Sequence, residues 1–172
     1  MKISDVQSNE YHAFYSNYLA LVPKDKLLLN GFNESTQDII DFFQNIPVIK
    51  LNYAYARQKW SVKEIFQHLI DTERVFQYRC FCLARRDKTP LPGFEQNDYI
   101  SPSQAKNKSI ESLVEEFKAV RQSFIVLLNS LNDEDLQFVG NANGNAMSAR
   151  AAAFVVLGHY IWHINIIKER YL

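Results

Sequence analysis

Two histidines, His159 and His163, stand four residues apart in the run Gly158-His159-Tyr160-Ile161-Trp162-His163. On an α-helix that spacing stacks both imidazoles on one face, with their Cβ atoms about 6 Å apart. A metal ion with bonds of about 2.0–2.1 Å to each ring nitrogen fits between such rings. Both fall on the apolar stripe of their segment, with Ala152, Val155 and Ile166, and so face a protein interior rather than water. His68 lies seven residues into another strongly patterned helix. That places it about 10 Å from the start of its helix, and His163 about 10 Å from the end of its own. If these helices are antiparallel neighbours, the three rings meet at one level. The fourth histidine, His12, sits in the N-terminal segment and is left out of the site. The competing reading of the same residues is packing, with buried imidazoles bonded to backbone or tyrosine and no ion.

The surrounding residues narrow the chemistry. A helical zinc protease needs H-E-x-x-H, and Tyr160 follows His159 where that glutamate belongs. A di-iron carboxylate bundle needs paired E-x-x-H motifs, yet Ile65, Val156 and Tyr160 stand three residues before the three histidines. What remains is a three-histidine site with open positions, able to act as a Lewis acid or to take water or a thiolate. Asp71, three residues after His68, is the candidate to orient an imidazole from behind, with surface pairing as the alternative. Glu64, four residues before it, is already engaged at a helix cap. Tyr160 and Trp162 are candidates for the pocket wall, with packing in the bundle as the alternative. Arg74 and Arg79 could hold a substrate carboxylate or be ion-paired. Cys80 and Cys82 lie about 18 and 21 Å along the helix from His68, too far to join it. Two residues apart on a helix, they also point to nearly opposite faces and cannot bridge each other.

Four amphipathic helices must position these groups. The first spans about 24–45, with Leu28, Phe32, Ile39, Phe42 and Ile46 on one stripe. The second spans about 61–86 and opens with the sharpest signal in the chain, the capping box Ser61-x-x-Glu64 with Trp60 and Ile65 as its hydrophobic staple. The third spans about 109–130, where Ile110, Leu113, Phe117, Val120, Phe124, Leu127 and Leu131 repeat as a bundle seam. The fourth, about 148–171, carries His159 and His163 and follows a turn-rich loop containing Asn141, Asn143, Gly144 and Asn145. All five prolines lie outside the helical cores. The expected fold is an all-α four-helix bundle forming a single domain over residues 1–172, with residues 1–22 as an N-terminal arm. The connection over 87–108 is long enough to cross over and let the second and third helices run parallel. No strand alternation of useful length and no internal repeat is evident.

Nineteen Lys and Arg balance nineteen Asp and Glu in this chain of 172 residues. There is no basic field to hold a phosphate backbone, so no nucleic-acid partner is expected. The longest apolar stretch, Ala151–Gly158, is far short of a membrane span, and the N-terminus lacks the apolar region of a signal peptide. No membrane partner is expected. Two unbridged cysteines fit a cytoplasmic protein. A homodimer through an apolar helix face is a further expectation.

Several pieces in order extend this reading. They are Lys59-Trp60-Ser61-Val62-Lys63-Glu64-Ile65, His68-Leu69-Ile70-Asp71-Thr72-Glu73-Arg74, Leu91-Pro92-Gly93-Phe94, and Gly158-His159-x-x-x-His163 with Glu169-Arg170-Tyr171. With these the chain resembles the DinB-like (DNA-damage-inducible) proteins of bacteria from about residue 18 to residue 171. The resemblance implies a four-helix bundle with a divalent metal, nickel or zinc, held by three histidines that map onto His68, His159 and His163. It also implies a small-molecule substrate and, in some relatives, transfer or isomerisation with a low-molecular-weight thiol such as bacillithiol, mycothiol or glutathione as co-substrate. Relatives often carry a second histidine beside the last ligand, where this chain has Trp162. The alternatives are a metal-assisted hydrolase and a non-enzymatic bundle that binds a small molecule or partner, with the histidines packed or holding a structural metal.

Overall fold

Three of the four long helices begin at a serine whose hydroxyl takes a backbone N–H of the first turn: Ser61 from Glu64, Ser109 from Ser112 and Ser148 from Ala151. The computed structural model describes all 172 residues. In chain order its elements are α1 (Ser16–Leu19), α2 (Leu28–Gln44), α3 (Val48–Leu51), α4 (Val62–Ala84), α5 (Gln96–Ser103), α6 (Ile110–Asn129), α7 (Asp133–Gln137), β1 (Val139–Ala142), β2 (Asn145–Ser148) and α8 (Ala149–Arg170). The long helices α2, α4, α6 and α8 form the bundle.

Cross-helix bonds give the directions. Lys63 Nζ donates to the Lys108 carbonyl at 2.7 Å, Gln67 to Glu116 at 3.0 Å and Gln77 to Ser123 at 2.7 Å, so α4 and α6 run parallel. The Tyr171 hydroxyl donates to the Trp60 carbonyl at 2.8 Å, while Gly140, just before α8, packs on Leu83 at the far end of α4. Helix α8 is therefore antiparallel to α4, as the histidine level argument requires. The parallel pair depends on the crossover over residues 87–108. That segment is not bare loop: it contains α5 and a 3-10 turn over Ala105–Asn107, which the buried Lys63 ties down by donating to the carbonyls of Lys106 and Lys108.

The first helix and the turn-rich loop differ from expectation. The first helix begins four residues later than expected, at Leu28, because residues 26–28 are engaged elsewhere: Ile3 N donates to the Lys26 carbonyl and Leu28 N to the Met1 carbonyl. The N-terminal 22 residues pack against the bundle and carry the short helix α1. They bury Ile3, Leu19 and Val22, and Glu10 forms a buried ion pair with Arg150 at the start of α8, Nε to Oε2 at 2.7 Å. Gly158 accounts for the closeness of this wrapping, since a Cβ there would lie 2.0 Å from the Tyr18 carbonyl oxygen. The turn-rich loop is a β-hairpin, β1–β2, closed by Asn143 and Gly144 at φ of 55° and 75°. Two successive positive φ values suit the two-residue hairpin turn that Asn-Gly favours.

Helix α8 is long and apolar enough to cross a membrane by length and composition, contrary to expectation, but it lies in the bundle, and Ala149 to Tyr160 are buried without a break. It has α1, α2 and α4 around it, so no solvent face is needed there. Below it the core holds a buried ion pair. Arg121, 1% exposed, reaches Glu73, 0% exposed, through two bonds of 2.7 and 3.0 Å, and its remaining donors meet the Phe32 carbonyl and the Ser35 hydroxyl. The guanidinium lies over Phe32, Phe117 and Tyr160.

Candidate metal centre

The antiparallel packing of α4 and α8 brings His68, His159 and His163 together. The ring centroids are 4.9 Å apart for His68 and His159, 5.0 Å for His68 and His163, and 4.6 Å for His159 and His163. One ring nitrogen from each lies within 4.8 Å of the others, and the Nε2 atoms of His68 and His159 are 3.1 Å apart. Two nitrogens bound tetrahedrally at about 2.0–2.1 Å from one ion would be about 3.3 Å apart, so the observed spacing suits one cation. No carboxylate or thiolate joins the group. His68 and His159 are buried and His163 is partly exposed.

Burial disfavours imidazolium here, and each positive ring would repel the next. His68 is pushed down to about 3 by burial and then by His163, and His163 to about 4 by burial. His159 is held well below its ordinary range by burial and by both neighbours. Neutral rings are the form that binds a metal. The same depression sets a pH dependence in metal-free protein. The unfolded chain takes up protons below about pH 6.5 while the folded rings do not, so stability falls as pH drops from there toward the folded values. Each histidine contributes a slope of at most about 1.4 kcal/mol per pH unit. Urea denaturation in chelator is expected to show a lower midpoint at pH 5 than at pH 7.5, and the difference should shrink in His159→Gln. An unchanged midpoint would contradict burial of neutral rings.

The other candidates are placed less simply. Asp71 does not orient His68: its carboxylate is taken by Gln67 at 3.0 Å and Arg74 at 2.9 Å, near Glu116 of α6. The group that reaches His68 Nδ1 is the Thr72 hydroxyl, at 3.4 Å. Tyr160 does not line a pocket. It lies in the core against Phe117 and Arg121, and burial together with Glu73 pushes its phenol well above its ordinary range. Trp162 is one layer removed, edge-on to Tyr18, which is in turn edge-on to His159 at 5.2 Å. Arg74 is ion-paired to Asp71 and Glu116. Cys80 and Cys82 are buried and unbridged, and burial pushes the Cys80 thiol up to about 12.

The sequence reading missed three residues at the site. Trp60, read only as a staple, packs on the His68 ring at 4.7 Å. Tyr18 lies in the N-terminal arm, where no spacing ties it to the histidines. Thr72 had a visible signal, since it lies four residues beyond His68 on the same helix face. Beside the cluster opens a cavity of about 390 Å³, whose wall includes His159, Thr72, Tyr18, Phe76, Arg79 and Phe94. His12, set aside at first, lines it too. Phe94 and its neighbours are held there by Leu91, which exchanges backbone hydrogen bonds with Asn141 and Asn143 of the hairpin.

The family model of the DinB superfamily matches residues 32–167, which takes in all three clustered histidines. The chain belongs to the DinB superfamily. Among solved structures it is similar to YfiT from Bacillus subtilis, described as "a probable metal-dependent hydrolase with an unusual four-helix bundle topology". The two share 15% identity, with a TM-score of 0.73 over 86% of this chain and 89% of that one, so the likeness is one of fold. No curated protein matches the sequence. The DinB-like architecture is the one described above, with α4 and α6 parallel and α8 between α2 and α4.

Proposed function

We propose that this DinB-superfamily protein is a metal-dependent enzyme: His68, His159 and His163 hold a divalent cation, nickel or zinc, and a low-molecular-weight thiol is activated there for transfer to an electrophilic small molecule. The observation that carries the reading is a trio of converging imidazoles, one of which, His159, lies on the wall of a ligand-sized cavity. A divalent cation bound there lowers the pKa of a thiol or water presented to it. The protein's own residues supply the rest. The Thr72 hydroxyl at Nδ1 of His68 keeps the opposite nitrogen directed at His159. Trp60 covers the His68 ring and Tyr18 flanks His159, and both of these histidines are buried.

Thiol is preferred to water because no carboxylate shares the histidine cluster, where an adjacent general base for a bound water would stand. A thiol, with an ordinary pKa of about 8.5, needs only a modest depression to ionise at neutral pH. Hydrolysis is the second reading, supported by the description of YfiT. Metal-loaded protein should be assayed with an aryl halide and bacillithiol, mycothiol or glutathione, and with a nitrophenyl ester in the absence of thiol. Turnover that needs thiol and stops with chelator is expected. Thiol-independent ester cleavage would move the assignment to hydrolysis, and no turnover by metal-loaded protein would leave a structural metal.

A further inference from the structure

Three arginines are buried in this fold, Arg79, Arg121 and Arg150. Two have carboxylate partners: Arg121 meets Glu73 and Arg150 meets Glu10. Arg79 has none. It is 2% exposed, its Nη2 donates to the Pro92 carbonyl at 3.0 Å, and its Nε is buried with no hydrogen-bond partner at all. Its guanidinium carbon lies over the Phe76 ring at 5.0 Å and near the Phe94 ring at 5.9 Å. A buried guanidinium without a counter-charge costs several kcal/mol, and folds rarely keep one unless something supplies the negative charge.

Arg79 also lines the cavity that His159 and Thr72 border. It lies seven residues beyond Thr72 on α4, two turns or about 10 Å along the axis, and helical side chains lean back toward the N-terminus. We propose that Arg79 anchors a carboxylate of the substrate, so that the cavity takes an elongated small molecule with one acid end on Arg79 and its reacting end at the histidine cluster. The placement of the reacting end rests on the function proposed above; the acid anchor does not. The wall is mixed: Phe76, Phe94, Met147 and Val155 offer apolar contact to the middle of the molecule, and Gln96, Asn143 and Asn145 offer polar groups. A single cation favours a carboxylate over a doubly charged phosphate. The other basic group in the wall, His12, uses Nδ1 to accept from the Phe14 N–H. Glu95, also in the wall, accepts from Asn97 and makes no ion pair with Arg79.

The test is titration calorimetry with 4-phenylbutanoate and its amide, 4-phenylbutanamide, on zinc-loaded and on chelator-stripped protein. The expected result is a preference for the acid of tenfold or more in both forms, lost in Arg79→Gln and largely kept in Arg79→Lys. Glutamine keeps a donor for the Pro92 carbonyl, so a purely structural tether would leave the preference intact in that variant. Should Arg79→Gln not fold, the Nε–H resonance of Arg79 in the wild-type protein replaces it: that signal must move with the acid and stay still with the amide. Equal binding of acid and amide by the wild type would overturn the proposal. So would an acid preference that survives Arg79→Gln and vanishes with the zinc, since the anion would then sit at the metal. Failure to load zinc would instead overturn the proposed function, while the stripped protein still decides the role of Arg79.

Discussion

Replacing His163 with alanine is expected to lower divalent-cation affinity by about a hundredfold or more, because loss of even a supporting hydrogen bond to a ligand costs about 10–100-fold. The thermal consequence follows by mass action. A cation present at about a hundred times its dissociation constant stabilises the wild type by about 2.7 kcal/mol. For a domain of this size that raises Tm by about 5–10 °C. The variant should show almost no such rise. In chelator the two proteins should melt within a few degrees of each other, since the His163 ring is partly exposed and its ring contacts are with the other two histidines. Elemental analysis of tag-free protein together with melting curves checks both parts. Cation uptake by His163→Ala equal to that of the wild type would remove His163 from the centre. A large loss of stability in chelator would make the histidine a packing residue.

Arg121→Met is expected to cost about 3–5 kcal/mol, a large part of the stability of any single domain. The charge left behind is the reason. Glu73 is fully buried and its bonds come from Arg121, so removing the guanidinium strands a carboxylate in the core among Phe117, Tyr160 and Phe32. Replacing both partners, Glu73→Leu with Arg121→Met, should recover much of the loss, because no unpaired charge remains. Urea denaturation of the wild type, the single variants and the double variant measures the coupling. Additive losses would show that the pair is not coupled as its bonds indicate. The contrast with Arg79 is direct: one buried guanidinium is matched by the fold, and the other waits on the cavity side without a partner.

Much of the frame was legible before any coordinates. The capping box at Ser61 located the start of α4 to the residue, and that boundary made the level of His68 calculable. The seam from Leu113 to Phe124 is buried as its period required. The hairpin escaped because its strands are four residues long, too short for alternation to register, although Asn143-Gly144 carried the turn signal. For Asp71 the chain alone left two roles open, orienting His68 or pairing at the surface. Residues three and four beyond His68 both lie near its face, and only the presence of Arg74 and Glu116 decides that Asp71 turns away and Thr72 turns in.

Local rules of short range settled what each segment of this chain would be: its helix starts, its apolar stripes, and the two imidazoles stacked on α8. Those rules act within one or two turns and depend on side chains already adjacent in the chain. Packing decided the remainder. It chose the partner for each buried charge, drew the N-terminal 22 residues over α8 through the gap left by Gly158, and left Arg79 facing a cavity. Such choices depend on groups tens of residues apart competing for the same space, and no spacing rule along the chain encodes that competition.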